Sequence, residues 1–274
     1  MKIALIQQHA GHSREENTRH GVEAFRQAAR AGAQLIAYAE LAFSRFLPQV
    51  PAVPELLRQA ELVPGPTTEI FSALAREFGV VVVLNLFERN GENTFDSSPL
   101  IDADGRLLGI TRMVHIMEGG GFHERGYYTP APDPPRVYST QAGKIGVAIC
   151  YDRHYPEYMR SLAMNGAELV VVPQAGAVGE WTEGIYEAEL QVASFQNGYY
   201  SALVNRVGLE EIHHFAGESF VCDPDGRVIA RAPKDQDFIL YADCDFTLNI
   251  RSHARKHFLA DRRPAIYRGF NLLD

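Results

Sequence analysis

The chain repeats one alternation, a short apolar run followed by a longer amphipathic stretch, and that alternation restricts the fold more than any other feature. "MKIALIQQ" reads as a strand. Ser13 and Glu16 then form the outline of a capping box, opening a helix to about Ala31 with Val22, Phe25 and Ala29 along one stripe. "AQLIAYAEL" follows as a buried strand ending near Glu40. Strand, helix, strand is the signature of a parallel sheet unit, because parallel neighbours need a long crossover. The pattern recurs in "TTEIFSALAREFG" with "VVVVLNLFE", in "KIGVAIC", "PEYMRSLAMNGA" and "ELVVVPQA", and in "TEGIYEAELQVASFQNG" with "YYSALVNRV". Pro156 suits a first helical turn. "LIDADGRLLG" (100–109) is echoed by "VCDPDGRVIA" (221–230), each an Asp-Gly turn between apolar runs and so a hairpin signal. One hairpin in each half suggests two similar halves. The expected class is α/β, two sheets packed face to face with helices outside. The Pro-rich "APDPPRVYS" reads as a connecting loop, and the whole chain, 1–274, as one unit.

Hydrophobic residues make up 46% of the 274 positions, enough for a sizeable core. The net charge is −8. An acidic chain lacks the basic footprint that nucleic acid requires and gives no reason to expect an anionic membrane surface as partner. No apolar run is long enough to span a bilayer, and the N-terminus fits no signal peptide. Cys150, Cys222 and Cys244 are far apart and match neither a zinc spacing nor a disulfide framework. The expected location is cytoplasmic, where thiols stay reduced.

Cys150 ends "KIGVAIC" and is followed by "YDRHYPE" and a helix. A thiol between strand end and helix start is placed for nucleophilic chemistry, since a helix N-terminus lowers its pKa and offers N–H groups to an oxyanion. A buried cysteine acting as a small hydrophobe is the bland alternative, and it is the favoured reading for Cys222 and Cys244. A thiol nucleophile needs a base. Glu40, at the end of a buried strand, and Glu124, in the glycine-rich loop stretch, are carboxylates whose burial would raise their pKa to suit proton transfer. His115 is the one histidine in a suggestive loop.

Taken together, "AYAELAF", "GENTFDSSPLIDADGRLLG", "ITRMVHIMEGGGFHERGYYTP", "KIGVAICYDRHYPEYMRSLAMNGAELVVVPQA", "FAGESFVCDPDGRVIA" and "ARKHFLADRRPAIY" resemble, in that order, the nitrilase superfamily of carbon–nitrogen hydrolases, nearly end to end. The resemblance implies a four-layer αββα sandwich, pairing into homodimers or larger homo-oligomers, and a Glu-Lys-Cys triad with no metal or organic cofactor. Carried over residue by residue, Cys150 is the nucleophile, Glu40 the general base and Glu124 a supporting glutamate. The Tyr151 N–H contributes to the oxyanion hole, and Asp152 and Arg153 follow as the family commonly has them. Two positions depart from the pattern: Ala39 stands where a proline is usual, and Met113 stands where the family keeps its lysine.

The chain has only Lys2, Lys144, Lys234 and Lys256, all distant in sequence from that loop. Arg112 should point to the opposite face of the strand from Met113, while His115 shares its face but already has a family counterpart. Losing one oxyanion donor typically costs roughly 100- to 1000-fold in rate. An apolar methionine would also leave Glu40 and Glu124 without their cation and raise their pKa. The resemblance is strongest to N-carbamoyl amidohydrolases of the N-carbamoylputrescine amidase type. It implies that water and a small amide or carbamoyl compound are the reactants, with Trp181 near the pocket mouth and Glu180 and Glu183 available to a cationic tail. The expectation is a hydrolase of non-peptide carbon–nitrogen bonds, inactive or weakened by Met113. Altered chemistry with another donor, a nitrilase or aliphatic amidase, and a non-catalytic binding protein of the same fold stay open.

Overall fold

In a computed structural model describing residues 1–270, the first half of the chain supplies β1 (Lys2–Gln7), β2 (Leu35–Tyr38), β3 (Val81–Val83), β4 (Leu86–Asn90), β5 (Asn93–Ile101) and β6 (Leu107–Arg112). The last four residues of the expected unit 1–274 lie outside the described residues. A small ribbon, β7 (Glu118–Gly119) and β8 (Phe122–His123), follows. The second half gives β9 (Val137–Thr140), β10 (Gly143–Val147), β11 (Leu169–Gln174), β12 (Tyr200–Asn205), a second ribbon of β13 (Val207–Leu209) and β14 (His214–Ala216), then β15 (Phe220–Cys222), β16 (Val228–Arg231) and β17 (Phe238–Asp243). The helices that matter for the layers are α1 (Arg14–Arg30), the short α2 (Pro54–Leu57), α3 (Pro66–Phe78), α4 (Pro156–Met164) and α5 (Ile185–Asn197).

One sheet runs β17-β1-β2-β3-β5-β4 with β6 on β5; the other runs β16-β15-β12-β11-β10-β9. Each has three parallel strands at its centre, β1-β2-β3 and β10-β11-β12, flanked by antiparallel ones. The period of two along each strand sorts the core into three seams. Ile3, Leu5, Leu35, Ala37, Val81 and Val83 meet Ile145, Val147, Leu169, Val171, Ala202 and Val204 between the sheets. The alternate residues Ala4, Ile6, Ile36, Tyr38 and Val82 pack under Phe25 and Ala28 of α1 and Phe71 and Leu74 of α3. On the far side, Ala148, Val170, Val172 and Leu203 pack under Tyr158, Met159 and Leu162 of α4 and Leu190 of α5. This is the four-layer αββα sandwich. Each fully buried aliphatic side chain stabilises it by roughly 1.5–3 kcal/mol.

The sequence echo is exact in the backbone. Asp102 N–H donates to Arg106 C=O at 2.9 Å and Gly105 N–H to Asp102 C=O at 2.8 Å; Asp223 donates to Arg227 and Gly226 to Asp223, each at 2.9 Å. Gly105 and Gly226 both take positive φ, 82° and 81°. A Cβ at either would strike a helix carbonyl, Ser72 O at 2.5 Å and Gln191 O at 2.7 Å, so each turn is pressed onto a helix of its own half.

Three details correct the sequence reading. The buried stripe of α1 is Asn17, Gly21, Phe25 and Ala28, with Val22 and Ala29 at its half-buried edge. Ser13 accepts from the Glu16 N–H at 3.2 Å, which is the N-cap half of the box, and Glu16 is exposed. β6 stops at Arg112 and β10 at Val147, so Met113 and Cys150 both sit on chain that has left the sheets.

Candidate active site

The two sheets place their strand ends together, and four loops converge there. Glu40 lies two residues past β2, fully buried. The next residue, Leu41, holds a left-handed φ of 46°. Its N–H donates to Asn85 Oδ1 at 2.8 Å, and the Arg206 guanidinium donates to the carbonyls of Glu40 (2.8 Å), Leu41 (2.6 Å) and Ser44 (2.9 Å). The loop carrying Glu40 is therefore fixed by its backbone, and its side chain is left to the site. Cys150 opens a 3-10 turn, Cys150–His154, with a φ of 42° that a residue with a Cβ adopts at a cost. Glu124 opens another short turn, Glu124–Gly126; its Oε2 accepts from the Met117 N–H at 3.0 Å. Met113 is 1% exposed and tied at both ends of its backbone, donating to Asp96 C=O at 3.0 Å and accepting from Ala131 N–H at 2.9 Å.

Donor atoms of Glu40, Glu124 and Cys150 all lie within 4.8 Å of one another. They are close enough to share a proton or to hold a single cation between them. Neither Glu40 oxygen has a hydrogen-bond partner, although Asp96 and Cys150 are near enough to bias its protonation. Burial pushes the Glu40 carboxyl well above the usual carboxylate range, and Asp96 and Glu124 push the same way. Burial likewise raises Glu124, against the Met117 N–H bond that favours its charged form. Cys150 is the clearest correction to the sequence reading. Its thiol pKa is raised well above normal, by burial first and then by Glu40 and Glu124, with Arg153 opposing. The expected lowering by a helix N-terminus does not arise, because α4 begins only at Pro156 and a 3-10 turn intervenes.

Sequence reasoning missed Asp96, Asn85, Tyr128 and Arg206. Asp96 is buried on β5, accepts from Asn85 Nδ2 at 2.6 Å, and is raised to about 7 by burial, with Glu40 and Asn85 pulling down. Its signal was visible as Asp96-Ser97-Ser98, three consecutive polar residues that are all buried in a strand.

Other expected residues do different work. Asp152 accepts from the N–H groups of Val114 and His115 and pairs with His115 Nδ1 at 2.7 Å, so it anchors the segment after Met113. His115 stacks on Tyr155, ring centroids 3.4 Å apart, and is turned to Asp152. Arg153 donates to the Cys150 carbonyl at 2.9 Å and to Gln174 Oε1 at 2.6 Å, bracing the turn from behind. Arg112 turns away, as expected, into a two-pronged pair with Glu88 at 2.7 and 2.6 Å. Glu180 accepts from Tyr186 Oη at 2.5 Å and lies near enough to raise Cys150 and Glu124. Trp181 is 37% exposed with its ring centroid 5.1 Å from that of His154, and Glu183 is exposed.

The carbon–nitrogen hydrolase family profile matches residues 2–250. The chain belongs to the carbon–nitrogen hydrolase family. It is 32% identical to an N-carbamoylputrescine amidase of Solanum lycopersicum, over 80% of this chain and 78% of that one. It is 29% identical to a citrullinase of Francisella tularensis, over 97% and 96%. A carbon–nitrogen hydrolase from Helicobacter pylori G27 superposes with a TM-score of 0.92 at 28% identity, covering 98% of both chains. Among the described residues of this carbon–nitrogen hydrolase, no helix is long and apolar enough to cross a membrane.

Proposed function

We propose that this carbon–nitrogen hydrolase cleaves small amide or N-carbamoyl compounds through a Cys150 acyl-enzyme, and that Met113 weakens it toward neutral substrates. The observation that carries the reading is the buried set of Cys150, Glu40 and Glu124 within 4.8 Å, at the meeting point of the strand ends. In the proposed sequence Glu40 takes the Cys150 proton and the thiolate adds to the carbonyl carbon. The Tyr151 N–H donates to the oxygen that gains charge. Protonated Glu40 returns its proton to the departing nitrogen, ammonia leaves, and Glu40 then activates water against the thioester. Glu124, held by the Met117 N–H, keeps the proton on the productive side. A carbamoyl thioester ends as carbon dioxide and a second amine.

Met113 removes the charge this sequence leans on. Burial, Asp96 and Glu124 disfavour the charged form of Glu40, and burial with Glu40 and Glu124 disfavours the Cys150 thiolate. An ammonium at position 113 would favour both charged forms. Met113→Lys is therefore expected to raise ammonia release from N-carbamoyl amines and simple amides by roughly 100- to 1000-fold. A panel of N-carbamoyl amines, amides and nitriles, assayed for the chain and for this variant, tests it. No turnover by either defeats the hydrolase reading, and fast turnover by the unaltered chain defeats the claim about Met113.

The same proposal covers assembly and setting. One domain holds the whole site, in a reducing cytoplasm that keeps the three buried thiols free. The assembly is a homodimer or larger homo-oligomer. In its support, a groove of about 1210 Å³ runs along α4 and α5, lined in part by the exposed apolar side chains of Met164 and Val192. Sedimentation velocity checks it; a monomer at micromolar concentration removes this part.

A further inference from the structure

Buried carboxylate oxygens crowd the thiol. Both oxygens of Glu40, Oε1 of Glu124 and Oδ2 of Asp96 are buried without a hydrogen-bond partner. Tyr128, 4% exposed, brings an unpartnered hydroxyl among the same groups: Asp96, Glu40, Glu124 and Cys150 each act on it. Of the nearby guanidinium groups, Arg153 donates through Nη1 to the Cys150 carbonyl and Gln174 Oε1 and lies 3.4 Å from Glu189, with its Nη2 buried and unpartnered, and Arg206 donates to three carbonyls and Glu210. Lys144, Lys234 and Lys256 are exposed, and Lys2 donates to Ala31 C=O at 3.3 Å. A neutral amide brings no charge to match these carboxylates. A planar group that donates through every N–H and carries positive charge fits them well. An ammonium ion would satisfy the acceptors, but the thiol beside them calls for an electrophilic carbon.

From this surplus of buried acceptors around a thiol we infer that the substrate class is cationic, an amidinium or guanidinium whose own charge stands where Met113 brings none. The inference rests on the reading of Cys150 as nucleophile and deepens it by naming the reacting group. The chemistry balances without an oxyanion donor. Glu40 takes the thiol proton. The thiolate forms a C–S bond to the amidinium carbon, and the C=N π pair returns to nitrogen, so the tetrahedral species is neutral. Glu40 gives its proton to one nitrogen, which leaves as ammonia with the C–N pair, giving a cationic thioimidate. Water loses a proton to Glu40 and adds to that carbon. The C–S bond breaks, the thiolate recovers the proton from the new hydroxyl, and ammonia collects the proton on Glu40. The net reaction is amidinium plus water to amide plus ammonium; a guanidinium gives a ureido product. Bound positive charge also favours ionised Glu40, Glu124 and Cys150, so the substrate prepares the groups that attack it.

The test is paired labelling and turnover. Cys150 is alkylated with 2-chloroacetamidine and with 2-chloroacetamide, each rate divided by the rate with free glutathione and the site read by peptide mass spectrometry. The expected result is a preference of at least about tenfold for the amidine, the scale of one charge-assisted hydrogen bond. Met113→Lys should reverse the order, and Asp96→Asn, which keeps the shape, should shrink it. Ammonia release from benzamidine and methylguanidine should exceed that from benzamide and methylurea. Equal normalised rates, a preference for the amide, or an order that both variants leave unchanged overturns the cationic class. If the amide labels Cys150 and the amidine does not, only the substrate class falls. If neither labels Cys150, the nucleophile reading falls with it.

Discussion

Two buried charged clusters lie on opposite sides of the same short backbone, and they are built by opposite rules. Arg206 is 1% exposed, pairs with Glu210, and donates through its two terminal nitrogens to the carbonyls of Glu40, Leu41 and Ser44. Glu210 in turn accepts from the Phe46 N–H at 2.8 Å and from Gln49 Nε2 at 3.0 Å. On the other side, Glu40, Asp96, Glu124 and Cys150 share the interior with open acceptors and no ammonium. A buried charge with matched partners holds structure; one without them raises its own pKa and waits for a proton or a ligand. The contrast teaches that this fold can pair buried ions well, and that it leaves the carboxylates at the meeting strand ends without such partners.

That contrast can be broken at several points. The largest effect belongs to the thiol: Cys150→Ala should remove more than about 1000-fold of any turnover, while Cys222→Ala, whose thiol is walled into β15, should leave the rate unchanged. Ammonia assays on both variants decide, and equal losses would make Cys150 an ordinary core residue. Next is Arg206→Met, which takes the paired guanidinium from Glu210 and the donors from three carbonyls. It should cost about 3–5 kcal/mol in denaturant unfolding; a cost below about 1 kcal/mol would erase the distinction between the clusters.

The third break runs the other way. Asp96 keeps its proton in the folded state up to about 7, whereas an unfolded Asp loses it near its ordinary value of 3.8. The fold therefore binds the extra proton across that window, and this contribution is present at low pH and lost as pH rises through about 7. Asp96→Asn should stabilise the chain at pH 8 by roughly 2–4 kcal/mol and do nothing of the kind at pH 4. Unfolding curves at both values test it, and a gain independent of pH would mean that charge is not the cause. Smallest is the surface pair Arg19–Glu23, whose side chains are more than half exposed at 2.9 Å. Glu23→Gln should change stability by no more than about 0.5 kcal/mol, which sets the baseline against which the buried clusters are judged.

The layers were legible because period and length were unambiguous: all-apolar runs such as Val80 to Leu84 must be covered on both faces, and the intervening helices supply the cover. Glu40 and Cys150 were legible as polar or reactive groups at strand ends and Glu124 as a carboxylate in the glycine-rich loop stretch, and the structure brings those three together. What hid was anything decided by a backbone leaving its strand. Asp152 and Arg153 follow the thiol in sequence, yet the 3-10 turn points them at backbone, one to the His115 loop and one to the Cys150 carbonyl. Arg206 sat in "VNRVG" as an ordinary strand end, and its partners lie about 160 residues away. Asp96 was passed over because a polar run within a strand reads as an exposed stretch, although its lack of alternation was the signal. β5 has partners on both edges, and Asp96 points inward. The sign of the Cys150 shift was misjudged for the same reason, since burial among carboxylates outweighs a helix that starts too late.

The left-handed backbone at Leu41 and Cys150 has a consequence for how such a chain drifts. Each conformation costs about 1–2 kcal/mol that a glycine would not incur. A lineage that no longer needed the reaction would find a ready downhill step at both positions, gaining stability by discarding the thiol. The cysteine stands there against that gradient.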